Sequence, residues 1–402
     1  MANPYRDLFR TPGATGLAIA SIVLRLPQAM TGIGIVTMLV QKTGLYWLAG
    51  AVAGIYTLTN ALIGPQISKV VDRRGQSRVL PLVTAYSISM MLTLIAAVYM
   101  QAPAVMLFIL AALAGAMPSM SAMIRARWLQ LFRGRPQLHT AFSLDTVITE
   151  LVFTVGPPVA IMLSTALFPE AGPLAAILLL IFGVTTFLMQ KKTEPKVVEG
   201  LGKQTSSTLF IPGVRTIVFA LLALGVIAGS MEVAVVAFAN QAGWPAAASF
   251  ILAIYAFGSM LAGLMFGTLK LTMPIENQFL VAGMVMAATS ILPIFSPNVY
   301  ALAGMLFIAG VSFAPTMVIV MNIGTAILPP ARMTEGLTWM TTGISLGVAL
   351  GSVLVGIVVD TYGVRASFSV AIVAGLTMVI IVLLGLRVLR TSSAVYVETS
   401  QH

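Results

Sequence analysis

Gly64-Pro65-Gln66-Ile67-Ser68-Lys69-Val70-Val71-Asp72-Arg73-Arg74-Gly75-Gln76-Ser77-Arg78-Val79-Leu80 is the stretch whose reading decides the fold. It is the most polar short segment of the first half, and apolar runs at 46–71 and 79–100 flank it. A helix rises 1.5 Å per residue, so about 20 residues cross a 30 Å hydrocarbon core, and each run is long enough. The segment therefore reads as a tight turn between two membrane-crossing helices. Gly75 supplies the backbone freedom such a turn needs. Asp72 is placed to face the positive N-terminal end of a neighbouring helix, with Lys69, Arg73, Arg74 and Arg78 around it. Any short cytoplasmic loop collects Lys and Arg. Asp-Arg-x-Gly-x-x-Arg directly after a spanning helix is more ordered than such a loop.

Composition supports that reading. Of 402 residues, 58% are hydrophobic and 8% charged, against about 25% charged in a soluble domain. So little charge cannot cover so much apolar surface in water, so the class is polytopic membrane protein, all-α. There is no cysteine, which excludes disulfides, thiol chemistry and cysteine-held metals. With two histidines, His139 and His402, a histidine metal site is not expected either. No cofactor is expected. Met1–Thr11 is polar without a cleavable signal pattern, so the first helix is expected to remain as an anchor.

Apolar windows fall at 14–38, 46–71, 79–100, 103–124, 140–166, 172–190, 214–239, 245–269, 277–296, 299–321, 336–359 and 366–389, predicting twelve spans. With the N-terminus placed in the cytoplasm, nineteen of the 22 Lys and Arg fall on the inner side. Lys42 and Arg365 fall outside, and Arg25 lies within a span. That imbalance orients the chain with both termini inside. It also explains the net charge of +10 without a nucleic-acid partner. The polar interval 191–213 reads as a cytoplasmic linker between two six-helix halves, 1–190 and 214–402. Gly356-x-x-x-Asp360-x-x-Gly363-x-Arg365 echoes the Ser68–Arg78 turn on the opposite side, whereas Gly267-Thr-Leu-Lys270 is the same turn without its acid.

Charges inside spans are costly and are candidate functional groups. Arg25 in span one and Glu150 in span five lie at similar depth, and an ion pair between them is expected. Asp145, nearer the cytoplasm, is within reach of the basic loop of Arg125, Arg127, Arg133 and Arg135. Glu232 in span seven has no other charge at its level. A lone carboxyl in an apolar setting suits reversible protonation, although a Glu nearer the outer interface would simply be solvated. Glu232, Glu150 and Asp145 are thus the candidates for proton coupling. Pro27, Pro118, Pro157, Pro158 and Pro315 interrupt spans and mark hinges or cavity walls. Polar residues expected to share the cavity are Arg25, Gln28, Tyr56, Asn60, Ser119, Asn240, Tyr255, Asn322 and Trp339.

The 64–80 stretch resembles the signature loop between helices two and three of the major facilitator superfamily, G-x-L-x-D-R-x-G-R-R. Asp72, Arg73 and Gly75 match and Arg78 supplies a late basic residue. Ser68 stands in place of the first Gly, and Gln76-Ser77 replaces the basic pair. Gly156-Pro157 resembles the Gly-Pro of the drug-exporter antiporter motif. Together with Arg25-Leu-Pro27 and Ala122-x-x-Arg125-Ala-Arg127-Trp128, it suggests a bacterial exporter-like branch. The span-four Arg followed by Gln-Gly has no counterpart here. The resemblance implies two six-helix bundles of inverted repeats rocking about a midplane site. It further implies a cytoplasmic gate of Asp72, Arg73, Arg74, Gly75 and Arg78, with Asp72 facing the region of Glu335–Thr338, and hinges at Pro27, Gly156, Pro157 and Pro315. The function expected is proton-coupled export of an amphipathic small molecule across a bacterial inner membrane. The alternatives are an uptake symporter for an organic anion or zwitterion, with Arg25 binding its carboxylate, and a lipid-translocating protein. Partners expected are the substrate, protons and membrane lipids, with the protein acting as a monomer. The loops hold no nucleotide loop or catalytic set, so an enzyme is not expected.

Overall fold

The computed structural model describes residues 4–132, 135, 137–195, 211–266, 273–328 and 333–399. These form fourteen α-helices: α1 (Pro4–Phe9), α2 (Ala14–Thr43), α3 (Tyr46–Arg74), α4 (Gln76–Tyr99), α5 (Ala104–Ala114), α6 (Met120–Phe132), α7 (Gln137–Ala166), α8 (Ala171–Met189), α9 (Pro212–Gln241), α10 (Ala247–Phe266), α11 (Ile275–Thr289), α12 (Val299–Ile327), α13 (Met333–Tyr362) and α14 (Val364–Thr399). Eleven segments among the described residues are long and apolar enough to cross a membrane. The fourth predicted span is broken into α5 and α6, and counting it gives twelve. Gly267–Lys270 lies outside the described residues.

The break falls at Gly115–Ser119, around Pro118. A broken helix in an apolar setting leaves carbonyls without partners, and these must be satisfied locally. Asn60 of α3 donates its side-chain amide to the carbonyls of Gly115 and Met117, at 3.4 and 3.3 Å. Ser87 of α4 donates to the carbonyl of Ala114. Ser119 starts the next helix by accepting from the Ala122 backbone N–H at 3.3 Å, as N-cap serines do. Pro27, Pro157, Pro158 and Pro315, in contrast, sit inside continuous helices.

Two turns repeat one solution. Gly75 has φ +89° and donates its N–H to Val71 O at 2.8 Å, separating α3 from α4. Gly363 has φ +86° and donates to Val359 O at 3.0 Å, separating α13 from α14. Positive φ is easy only for glycine, and both glycines belong to the two echoing motifs.

The chain divides into two compact units. Residues 1–43 and 58–202 form the first, and 44–57 and 203–402 the second. In the first, α2 packs against α7 and α8, and α4 against α5. Gly156 is buried where α7 meets α2, and a methyl there would come within 2.7 Å of the Ala29 Cβ. In the second, α9 packs against α13 and α14, and α10 against α12. The α9–α13 seam is backbone against backbone. Gly225 and Gly229 of α9 face the carbonyls of Ile344 and Val348. Gly347 and Gly351 of α13 face those of Leu222 and Val226, with no room for a Cβ at any of the four. Small residues four apart allow this approach where lipid gives helices little hydrophobic reason to associate.

Candidate functional site

In the first unit the buried charged side chains gather on α2, α6 and α7. Arg25 is fully buried. Its guanidinium lies 2.8 Å from Asp145, and it donates to Ser21 at 2.7 Å and Ser121 at 3.2 Å. Asp145, also fully buried, accepts from Arg125 at 3.0 Å on its other oxygen. Among the described residues the carboxylate that meets Arg25 is Asp145, about a turn and a half earlier on α7 than the Glu150 expected from the sequence. The side chain of Glu150 lies outside the described residues. A buried guanidinium without a counter-charge is expensive, and this cluster answers it with one carboxylate and two hydroxyls. The expectation for Asp145 is met at Arg125, but that partner belongs to helix α6 rather than to a loop.

Arg127 is a second buried guanidinium, and sequence reasoning placed it in a basic loop. It donates to Gln76 Oε1 at 2.8 Å, to the carbonyls of Phe187 and Gln190 at 2.6 and 3.1 Å, and to Thr193 Oγ1 at 3.1 Å. It also stacks 3.6 Å over the Phe187 ring. Next to this hub, Glu194 accepts from the Ser77 N–H at 2.8 Å and from its hydroxyl. The Gln76-Ser77 pair that departs from the superfamily signature thus ties the turn to the end of α8. The only advance signal was that same departure. Arg73, Arg74 and Arg78 are exposed, while the side chains of Asp72 and Glu335 lie outside the described residues. At the far end of this unit Lys42 pairs with Glu170 at 2.8 Å and lies over the Tyr99 ring.

In the second unit Glu232 is half-buried on α9. It has no ion pair or hydrogen bond among the described residues, and Tyr255 of α10 is the group within its electrostatic reach. The Tyr255 hydroxyl is buried and likewise lacks a hydrogen-bond partner among the described residues. Its ring meets Phe313 edge-on at 6.2 Å between centroids. Asn240 donates to Val236 O at 3.0 Å and bonds the Tyr46 side chain. Tyr56 and Trp339 are half-buried, Gln28 and Asn322 exposed. Of the expected cavity residues, then, Asn60 and Ser119 serve the helix break and Arg25 serves Asp145. The carboxyl and phenol of Glu232 and Tyr255 remain available to a ligand or a proton.

The model of the family described as Major Facilitator Superfamily matches residues 245–399. Solved structures extend the likeness over the whole chain. A nucleoside transporter, NupG, superposes with a TM-score of 0.68 at 14% identity, over 92% of this chain and 99% of its own. A bacterial homologue of the iron transporter ferroportin gives 0.66 at 16%, over 92% and 98%. The human organic anion transporter MFSD10 gives 0.64 at 12%, over 95% and 100%. The protein has the fold of the Major Facilitator Superfamily. Curated proteins provide no match. At these identities the likeness carries the fold, and role and substrate are to be argued from the residues.

Proposed function

We propose that the protein is a secondary active transporter working by alternating access, and that it exports an amphipathic small molecule in exchange for protons entering through Glu232. The observation that supports this reading is the isolation of Glu232. Among the described residues it stands within the apolar helix α9 with no cation beside it, and within electrostatic reach is Tyr255, whose buried hydroxyl lacks a hydrogen-bond partner among them. Carboxyls within membrane helices mark proton and ion pathways. A carboxyl held by an arginine stays charged, whereas one free of cations can exchange its proton with whichever side has access. Arg25, by the same logic, is already neutralised by Asp145, which weakens the alternative in which it binds a substrate carboxylate. Export is favoured by Gly156-Pro157 and by a content of 24 methionines, whose flexible side chains suit adaptable apolar walls. The nineteen-to-two charge imbalance supports a cytoplasmic Gly75 turn, and a bacterial inner membrane is the setting of this reading.

The test is reconstitution in liposomes with an internal pH dye and an imposed proton gradient, adding amphipathic cations, anions and zwitterions in turn. The expected result is substrate-triggered proton movement that is lost in Glu232→Gln. Substrate movement without proton flux in the parent protein would refute the coupling.

A further inference from the structure

Asp360 belongs to the last turn of α13, where the helix macrodipole is negative and an anion is unfavourable on its own account. Its carboxylate instead reaches the start of α3. It accepts the Trp47 N–H at 2.7 Å and the Tyr46 N–H at 3.3 Å. These are two of the four amides that every helix N-terminus leaves without intrahelical partners, and charge-assisted bonds to them are among the stronger kinds. α3 contributes no such cap of its own, since Gly44 and Leu45 precede it.

Beneath this cap the two helices touch through small residues. A Cβ at Gly356 would come within 2.5 Å of Tyr46 O, and one at Gly54 within 3.0 Å of Ala349 O. Gly50 lies against the backbone of Ser352. All these residues fall in the second unit, yet α3 continues past Thr57 into the first, so the helix is divided between the two. Asp360 itself is exposed, so water can replace its partners when they leave.

We infer that Asp360 is a releasable clamp on the first turn of α3, closing the α3–α13 contact and freeing it when that end of the protein opens. The inference rests on the alternating-access reading, because a helix shared by two units must give up one set of neighbours when they rock. With the orientation proposed above, the clamp acts on the outer side, opposite the Asp72 turn.

The absence of cysteine in the chain makes a direct test possible. Ser352 is buried against Gly229 and Val348 beside the contact, and Ser352→Cys introduces a single thiol there. Its labelling by a polar maleimide is followed in nanodiscs, without substrate, in the parent, Asp360→Ala and Gly356→Ala backgrounds. Both backgrounds should label at least fivefold faster than the parent. Ser290→Cys, at another buried site of the same unit, should label at an unchanged rate. Equal rates at Ser352→Cys in all three backgrounds would overturn the clamp. So would a matching rise at Ser290→Cys, which would make Asp360 a general support of the fold. Because no substrate is used, failure of the transport assay and failure of the clamp are separate results.

Discussion

Replacing Asp145 by Asn leaves the molecule almost unchanged in shape and removes one charge from a place that water does not reach. Arg25 would lose the Asp145 counter-charge and keep neutral partners, Ser21 and Ser121 among them. Removing one member of a buried pair costs about 3–5 kcal/mol, because the remaining charge is uncompensated. At about 1.4 kcal/mol per factor of ten, that is a hundredfold or more in the ratio of folded to unfolded protein. The reverse change, Arg25→Gln, should cost less, because Asp145 keeps Arg125 at 3.0 Å, a residue 54% exposed and able to adjust. The double variant should be more stable than Asp145→Asn alone, since no buried charge remains unanswered. The assay is the fraction of monodisperse protein in size-exclusion profiles after a temperature series in detergent. If Asp145→Asn matches the parent, or if the double variant falls at the sum of the two singles, the pair does not hold α2 to α7 and the reasoning fails.

Arg127→Lys keeps the charge but gives up the planar fork and the stacking on Phe187. A loss of about 2–3 kcal/mol is expected from at least two stranded buried acceptors, read in the same temperature series. Gly347→Val puts a side chain into the Leu222 carbonyl and should cost at least the 1–3 kcal/mol typical of overpacking, seen as lost monodisperse protein. Asp72→Asn should insert normally yet transport at a fraction of the parent rate in liposomes, as expected if its charge biases one conformational state. Normal turnover in that variant would remove the cytoplasmic gate from the mechanism.

Much of the fold was legible because hydropathy reports length directly. The windows 46–71 and 172–190 differ from α3 and α8 by only a few residues, and Gly75 announced its turn through the positive φ that other residues avoid. The break at Pro118 was legible as well, but its consequences for Asn60 and Ser119 were not. A polar residue in a span looks the same whether it lines a cavity or repairs a backbone. The Arg25–Asp145 pair was not legible because depth along α7 does not reveal how that helix is rotated or tilted, and Asp145 and Glu150 are only about a turn and a half apart. Arg127 was read as a loop charge because nothing local distinguishes a cation beyond the apolar window from one whose helix continues inward to Gln76 and Phe187. Glu232 stood out for the opposite reason. Isolation is visible in one dimension, whereas partnership across helices is not.

The glycine seam between α9 and α13 also sets how this chain can vary over time. Positions 225, 229, 347 and 351 have backbone carbonyls where a first side-chain carbon would go, so even alanine is excluded unless both helices shift. Exposed apolar positions on the same helices, such as Phe219 and Leu354, should accept most apolar residues. Sequence drift in this pair should therefore be strongly uneven: four glycines at spacings of four held fixed, within helices whose remaining surface is almost free to change.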